Sequence, residues 1–303
     1  MKPRDVAITS PPITSPRLPS PFATPRVIAI TSGYPGVGQS VVVVLLGLAL
    51  SRLGKKVLIL DGAPGRPAIP RLLGLTPVFG ITDVLAGRQT LADIIIKTPQ
   101  GLDVLPAAPH QGVMGELGPE DKLFLLQELE FCTGDYDFLL VDTGAGLASH
   151  VLYFNMGAQE RIVVATEEPA TVVNAYSLIK VLATRHAEKR FQVLFTRVSC
   201  PEIARHCFEQ LVKVAERFLH GTVALGYLGT VPFDAAVVEA SLQQRPLVTL
   251  ATLSPAGCAC SRLAQHLLTQ ELQPAMDGNL KFFWQSLHKK AASAYYQGGY
   301  HAG

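Results

Sequence analysis

The stretch Gly33-Tyr34-Pro35-Gly36-Val37-Gly38-Gln39-Ser40 constrains this chain more than any other segment. It fits the phosphate-loop pattern G-x-x-x-x-G-K-[ST] at every fixed position but one, where Gln39 stands in place of the lysine. In such a loop the glycines let backbone N–H groups surround phosphate. The lysine reaches the outer phosphates, and the serine hydroxyl ligates Mg²⁺. The cradle is kept here and the cation is not. The flanks agree with a loop of this kind. Arg26-Val27-Ile28-Ala29-Ile30-Thr31 is the β-branched run of a buried parallel strand. Val41 to Leu53 is apolar almost throughout and closes on Gly54-Lys55-Lys56, which predicts a buried helix with a glycine stop.

Beyond the loop, strand-like and helix-like segments alternate. The pattern predicts strands over Val27–Thr31, Lys56–Leu60, Leu102–Pro106, Phe138–Val141, Arg161–Ala165, Gln192–Thr196 and Ala224–Val231. Helices are expected to fill the gaps between them, including Val41–Leu53, Pro119–Phe131, Ala170–His186 and Pro201–Leu219. This is an α/β class, a mostly parallel twisted sheet with helices on both faces. With 303 residues, 48% of them hydrophobic, there is ample material for one large core. The expected organisation is a Pro-rich, disordered arm over 1–25, one domain over 26–272, and an amphipathic helix with a flexible tail over 273–303.

Charge and cysteines narrow the setting. A net charge of +2 gives no signal for a nucleic-acid partner. Five cysteines, an odd number, suit a reducing cytoplasm better than a disulfide framework. Cys258-x-Cys260 and the group Cys200, His206, Cys207 lack a second spaced pair, so no structural metal is expected. The longest apolar run, Val41 to Leu50, falls far short of the roughly 20 residues that span a membrane.

Two aspartates complete the candidate site. The second strand runs into Asp61-Gly62-Ala63, and the fourth into Asp142-Thr143-Gly144. Ligands of open α/β sheets sit beyond the carboxyl ends of the strands. The expected phosphate contacts are Gly33, Gly36, Val37, Gly38, Gln39, Ser40 and Val41. The expected Mg²⁺ supports are Ser40, Asp61 and Asp142, directly or through water. No residue is assigned as catalytic.

Near the end of the chain, Leu280, Phe283, Trp284, Leu287 and Ala291 recur at i, i+3, i+4, i+7 and i+11, with Lys281, Gln285, His288 and Lys289 mostly opposite. A Trp/Phe face set against lysines suits a helix lying in a membrane interface. A helix docked on the body or on a partner fits the same pattern.

The combination resembles the MinD/ParA-type deviant Walker ATPases, and within them the flagellar-number regulators of the FlhG (FleN) group. The resemblance runs from about Val27 to Leu287. It rests on Ile30-Thr31-Ser32-Gly33, on Lys55 to Asp61, and on Tyr136 to Gly146 with its Gly-Ala-Gly ending. It continues through Glu168-Pro169-Ala170-Thr171, Asn174 to Lys180, Tyr227-Leu228-Gly229 and Gln244 to Val248. It implies ATP or ADP with Mg²⁺, a homodimer, and reversible attachment to the membrane through the final helix. Flagellar assembly proteins, such as the flagellar SRP-type GTPase FlhF, are the partners it implies. Regulation of flagellar number or placement is the expected function.

The departures from that pattern matter as much. The family's first loop lysine falls at Tyr34, the following glycine at Pro35, and the second lysine at Gln39. The switch I aspartate that positions the attacking water falls at Ala63. The adenine-reading asparagine falls at Thr196 or Arg197. The Asp-Gln-Ala-x-x-Leu-Arg motif, by which some relatives stimulate a flagellar GTPase, is absent from the arm. The expectation is a chain with little or no ATP hydrolysis. An active ATPase with unusual loop chemistry and a nucleotide-free scaffold of the same fold are the alternatives.

Overall fold

Alternation along the strands decides the architecture. A computed structural model describes residues 25–63, 68–106, 124, 128–129 and 132–270. Seven strands form one sheet in the order β3-β2-β4-β1-β5-β6-β7: β1 Arg26–Ser32, β2 Val57–Asp61, β3 Leu102–Pro106, β4 Phe138–Ala145, β5 Glu160–Ala165, β6 Arg190–Val198 and β7 Ala224–Pro232. Every neighbouring pair is parallel. On β1, Ile28 and Ile30 enter one core while Val27 and Ala29 enter the other. On β2, β4 and β5 the same period of two sends apolar side chains to both faces. A sheet that is apolar on both faces must be covered twice, so parallel strands with crossover helices are the stable solution.

On one face lie α1 (Gln39–Arg52) and, by the end of the described chain, α9 (Pro255–Thr269). Helix α1 is buried from Val42 to Leu50, because the sheet holds one side and α9 the other. The opposite face carries α5 (Ser149–Gly157), α6 (Pro169–His186) and α7 (Pro201–Leu219). Between them in sequence come the short α2 (Ala68–Leu73), α3 (Ile81–Leu85) and α4 (Leu91–Ile94), and later α8 (Ala235–Leu242). Asp234 ties this last region together by accepting from the backbone N–H groups of Ala236 and Val237 in α8 and of Ala256 in α9.

All seven expected strands are present, and α7 spans the expected Pro201–Leu219. The first helix starts at Gln39 rather than Val41, because Gly38, at φ 87°, takes its N-cap position. That places Gln39 and Ser40 inside the first helical turn. Strand β4 runs four residues past the expected Val141, so Asp142 lies within the strand and not after it. The arm over 1–24, most of Pro119–Phe131 and the segment Leu280–Ala291 lie outside the described residues.

Candidate functional site

Strand β1 lies between β4 and β5, so the chain order reverses on either side of its carboxyl end. The loop from Gly33 to Gly38 opens there. Gly36 and Gly38 adopt φ 79° and 87°, a left-handed conformation that side chains beyond glycine resist. Gly33 is needed for a different reason. A Cβ at this position would come within 2.1 Å of the Asn174 carbonyl oxygen, because the first turns of α6 lie directly on the loop. Gly33→Ala is therefore expected to lower stability by about 1–3 kcal/mol or more through overpacking, read as a fall in the urea midpoint. An unchanged midpoint would show that α6 yields without cost.

The loop is also pinned from β6. The Thr196 hydroxyl donates to the Val37 carbonyl and lies 3.2 Å from the Ala165 carbonyl, and the side chain is buried. Arg197, at φ 56°, points its guanidinium to the Gly36 carbonyl at 3.4 Å. Of the two residues where the resemblance put an adenine-reading asparagine, Thr196 has its hydroxyl engaged by the loop. Arg197 lines a cleft of about 530 Å³ with Thr166, Glu167, Glu168, Ser199 and Phe233.

Behind the loop lies a buried polar cluster. Asp61 and Asp142 stand side by side on β2 and β4, and Ile30 of β1 pairs with Asp142 on its other side. Each aspartate is only 1% exposed. The Gln39 amide donates to the Ile30 carbonyl at 2.8 Å and to Asp142 Oδ1 at 2.5 Å. A carboxamide nitrogen has two hydrogens, and both are used. Gln39 was expected among the phosphate contacts. In this conformation its side-chain amide has no hydrogen left for phosphate and braces Asp142 instead, while its main-chain N–H lies in the first turn of α1. The Ser40 hydroxyl also bonds to Asp142, and the Gly144 N–H reaches Oδ1 at 3.4 Å. Val41 is half-buried against the α1-side core.

Three buried oxygens in this cluster lack a hydrogen-bond donor: Gln39 Oε1, Asp61 Oδ1 and Asp142 Oδ2. Hydroxyl, carboxylate and amide oxygens are the ligands that hard divalent cations take. Ser40, Asp61 and Asp142 therefore fit a Mg²⁺ at the phosphate loop. Burial pushes Asp142 above the usual carboxylate range. Burial first, and the Asp142 charge second, raise Asp61 from 3.8 to about 7.

Without metal, Asp61 has a definite effect on stability. Its folded pKa is raised, so the folded chain keeps a proton that the unfolded chain releases between about pH 4 and pH 7. The associated stability is fully present below about pH 4 and is lost as pH rises to about 7. It is bounded at about 4 kcal/mol. In EDTA, Asp61→Asn is expected to flatten the urea midpoint between those pH values. Parallel profiles for the two proteins would count against this assignment.

The position expected for a switch I carboxylate holds Ala63. A Cβ on Gly144 would lie 3.4 Å from Ala63 Cα and 3.6 Å from His150 Nε2, so the two residues flank Gly144. His150 was not singled out in the sequence. It sits in the first turn of α5, and burial keeps its pKa below the ordinary value. The signal that could have found it is its place four residues after Gly146. Two arginines follow Ala63 closely enough in sequence to offer a substitute cation, and of these Arg66 lies outside the described residues. The second, Arg71, is exposed on α2. Among the described residues no group of three or more His, Cys, Asp or Glu side chains could hold a metal, and all five cysteines are free.

Residues 28–247 match the model of the CobQ/CobB/MinD/ParA nucleotide-binding domain. The chain belongs to this family. It is 37% identical over 268 residues to the antiactivator FleN of Pseudomonas aeruginosa, covering 88% of this chain and 95% of that protein. It is 26% identical over 223 residues to the flagellum site-determining protein YlxH of Helicobacter pylori, covering 74% of each. The fold matches MinD in the MinC:MinD complex of Aquifex aeolicus at a TM-score of 0.65 and 26% identity, over 81% of this chain and 96% of that one. The MinD of Pyrococcus horikoshii, solved with Mg-ADP, matches at 0.63 and 26%, over 80% and 95%. A family member without the loop lysine keeps the sheet, the glycine geometry and both strand-end aspartates.

Proposed function

We propose that this chain regulates the number or placement of flagella. The reading is carried by its likeness to FleN along almost the whole length of both proteins. The likeness to YlxH supports it from a second flagellar protein. Deleting the gene in its host and counting flagella by electron microscopy tests it directly. A change in number or position is expected; wild-type counts and placement would overturn the reading.

The regulator would act as a nucleotide-biased homodimer that hydrolyses ATP slowly or not at all. Both side-chain N–H groups of Gln39 are engaged within the protein, and Ala63 offers no carboxylate to orient water. Exposed Tyr34, Leu147 and Val173 surround the loop and give a second copy an apolar surface to meet. The cleft beside Arg197 is the place for the base. FlhF-like flagellar proteins are the partners this reading points to, at the cytoplasmic face of the membrane. No helix among the described residues is long and apolar enough to cross a membrane, so attachment would fall to Leu280, Phe283, Trp284 and Leu287. Trp284→Asp is expected to weaken sedimentation with anionic vesicles at least about tenfold. Equal sedimentation would move that helix to a protein partner.

A nucleotide-free scaffold of the same fold is the second reading, favoured by the engaged Gln39 amide. Melting with and without Mg-ATP separates the two, since a bound ligand must raise the midpoint and an absent one cannot.

A further inference from the structure

We propose that this chain holds a hard divalent cation in the absence of nucleotide, with Gln39 Oε1 joining Asp61 and Asp142 as a ligand. In an ordinary loop of this type, the lysine ammonium supplies positive charge behind the phosphates. Here the same position supplies an acceptor oxygen. Gln39 is 7% exposed, and its Oε1 has no donor. Asp61 Oδ1 and Asp142 Oδ2 are in the same condition, on residues paired in register across β2 and β4.

Buried acceptors without donors are costly, and buried carboxylates without a counter-charge more so. The Gln39 amide fixes the arrangement. Its two N–H groups are held by the Ile30 carbonyl and Asp142 Oδ1, which leaves the oxygen as its free end. Ser40 already bonds to Asp142 and adds a hydroxyl oxygen to the set. An all-oxygen set containing two carboxylates suits Mg²⁺, Mn²⁺ or Ca²⁺ and disfavours soft metals. The inference goes beyond the nucleotide reading and does not depend on it. Phosphate oxygens are not needed to complete the charge balance, because the Gln39 substitution has removed the competing ammonium.

Mn²⁺ serves as the probe. The full chain, freed of nucleotide and checked by its ultraviolet spectrum, is titrated with MnCl₂ while the free Mn²⁺ electron paramagnetic resonance signal is recorded. Loss of signal equivalent to one site per chain is expected, reversed by excess Mg²⁺. Gln39→Lys puts an ammonium where the cation sits, and it should weaken binding by at least about 10–100-fold, the scale seen for lost supporting contacts. Gln39→Glu adds a charge and should tighten it. Asp142→Asn should weaken it. Circular dichroism establishes that each variant is folded. No site in the natural chain overturns the proposal, and so does equal affinity in a folded Gln39→Lys variant. Failure here leaves the flagellar reading untouched, since that is tested by counting flagella. Success with no melting shift from ATP would locate the cation in a chain that has abandoned nucleotide.

Discussion

Gln39→Lys is expected to tighten Mg-ATP binding about ten- to a hundred-fold, measured by calorimetry beside the natural chain. A hydrogen bond to a charged group contributes about 1.5–3 kcal/mol, and the substitution supplies one to the outer phosphates. The structure adds a second reason. In the natural chain the Gln39 amide is turned inward, spending both N–H groups on Ile30 and Asp142. A lysine has three donors, so it can keep a contact with Asp142 and still reach phosphate. An ammonium beside the two aspartates would also lower their raised pKa values, favouring the ionised forms that a nucleotide-bound Mg²⁺ requires. If neither protein binds, the obstacle is Pro35, which has no N–H to offer, together with the exposed Tyr34.

The larger effect concerns turnover. Steady-state ATP hydrolysis by the natural chain is expected to fall about 10³–10⁵ below that of a lysine-bearing relative, the scale of losing one cation at a transferring phosphoryl group. Gln39→Lys alone should recover only part of it. The switch I position remains Ala63, and the first loop lysine remains Tyr34. Losses in parts that act together do not add, so the double variant Gln39→Lys with Ala63→Asp should gain more than the two single changes predict. Clear turnover by the natural chain, abolished by Asp142→Ala, would overturn the view that hydrolysis is lost. His150, whose Nε2 would lie 3.6 Å from a Cβ on Gly144, would then be the first residue to remove next.

Much of this was legible in residues whose chemistry is local. Strands show themselves as apolar runs because both faces of the sheet are covered, so β1, β2 and β4 could be placed to within a few residues. Gly36 and Gly38 mark a loop because only glycine is at ease at their φ. Other features depend on distant partners. Gln39 lies 103 residues from Asp142 in sequence, and its inward turn is set by where β4 ends. Gly33 reads as one more loop glycine until α6 is seen lying on it. The short helices α2, α3 and α4 carry four to six residues each, too few for a helical period to emerge. Helix α5 fills a gap where a helix was expected, but its bounds could not be read because its nine residues are apolar on nearly every side, without a polar stripe to mark the turns.

The contact from Thr196 to the loop has a kinetic consequence. With its Val37 carbonyl held by β6 and its Gly33 backbone resting on α6, the loop has little freedom left to lose when a ligand arrives. Encounter then needs no slow rearrangement of the loop, and residence time becomes the quantity that substitutions alter. Variants at position 39 that leave its charge unchanged should therefore share an association rate and differ in how long nucleotide stays. A flagellar regulator with such a loop would register changes in nucleotide supply through the lifetime of its bound state.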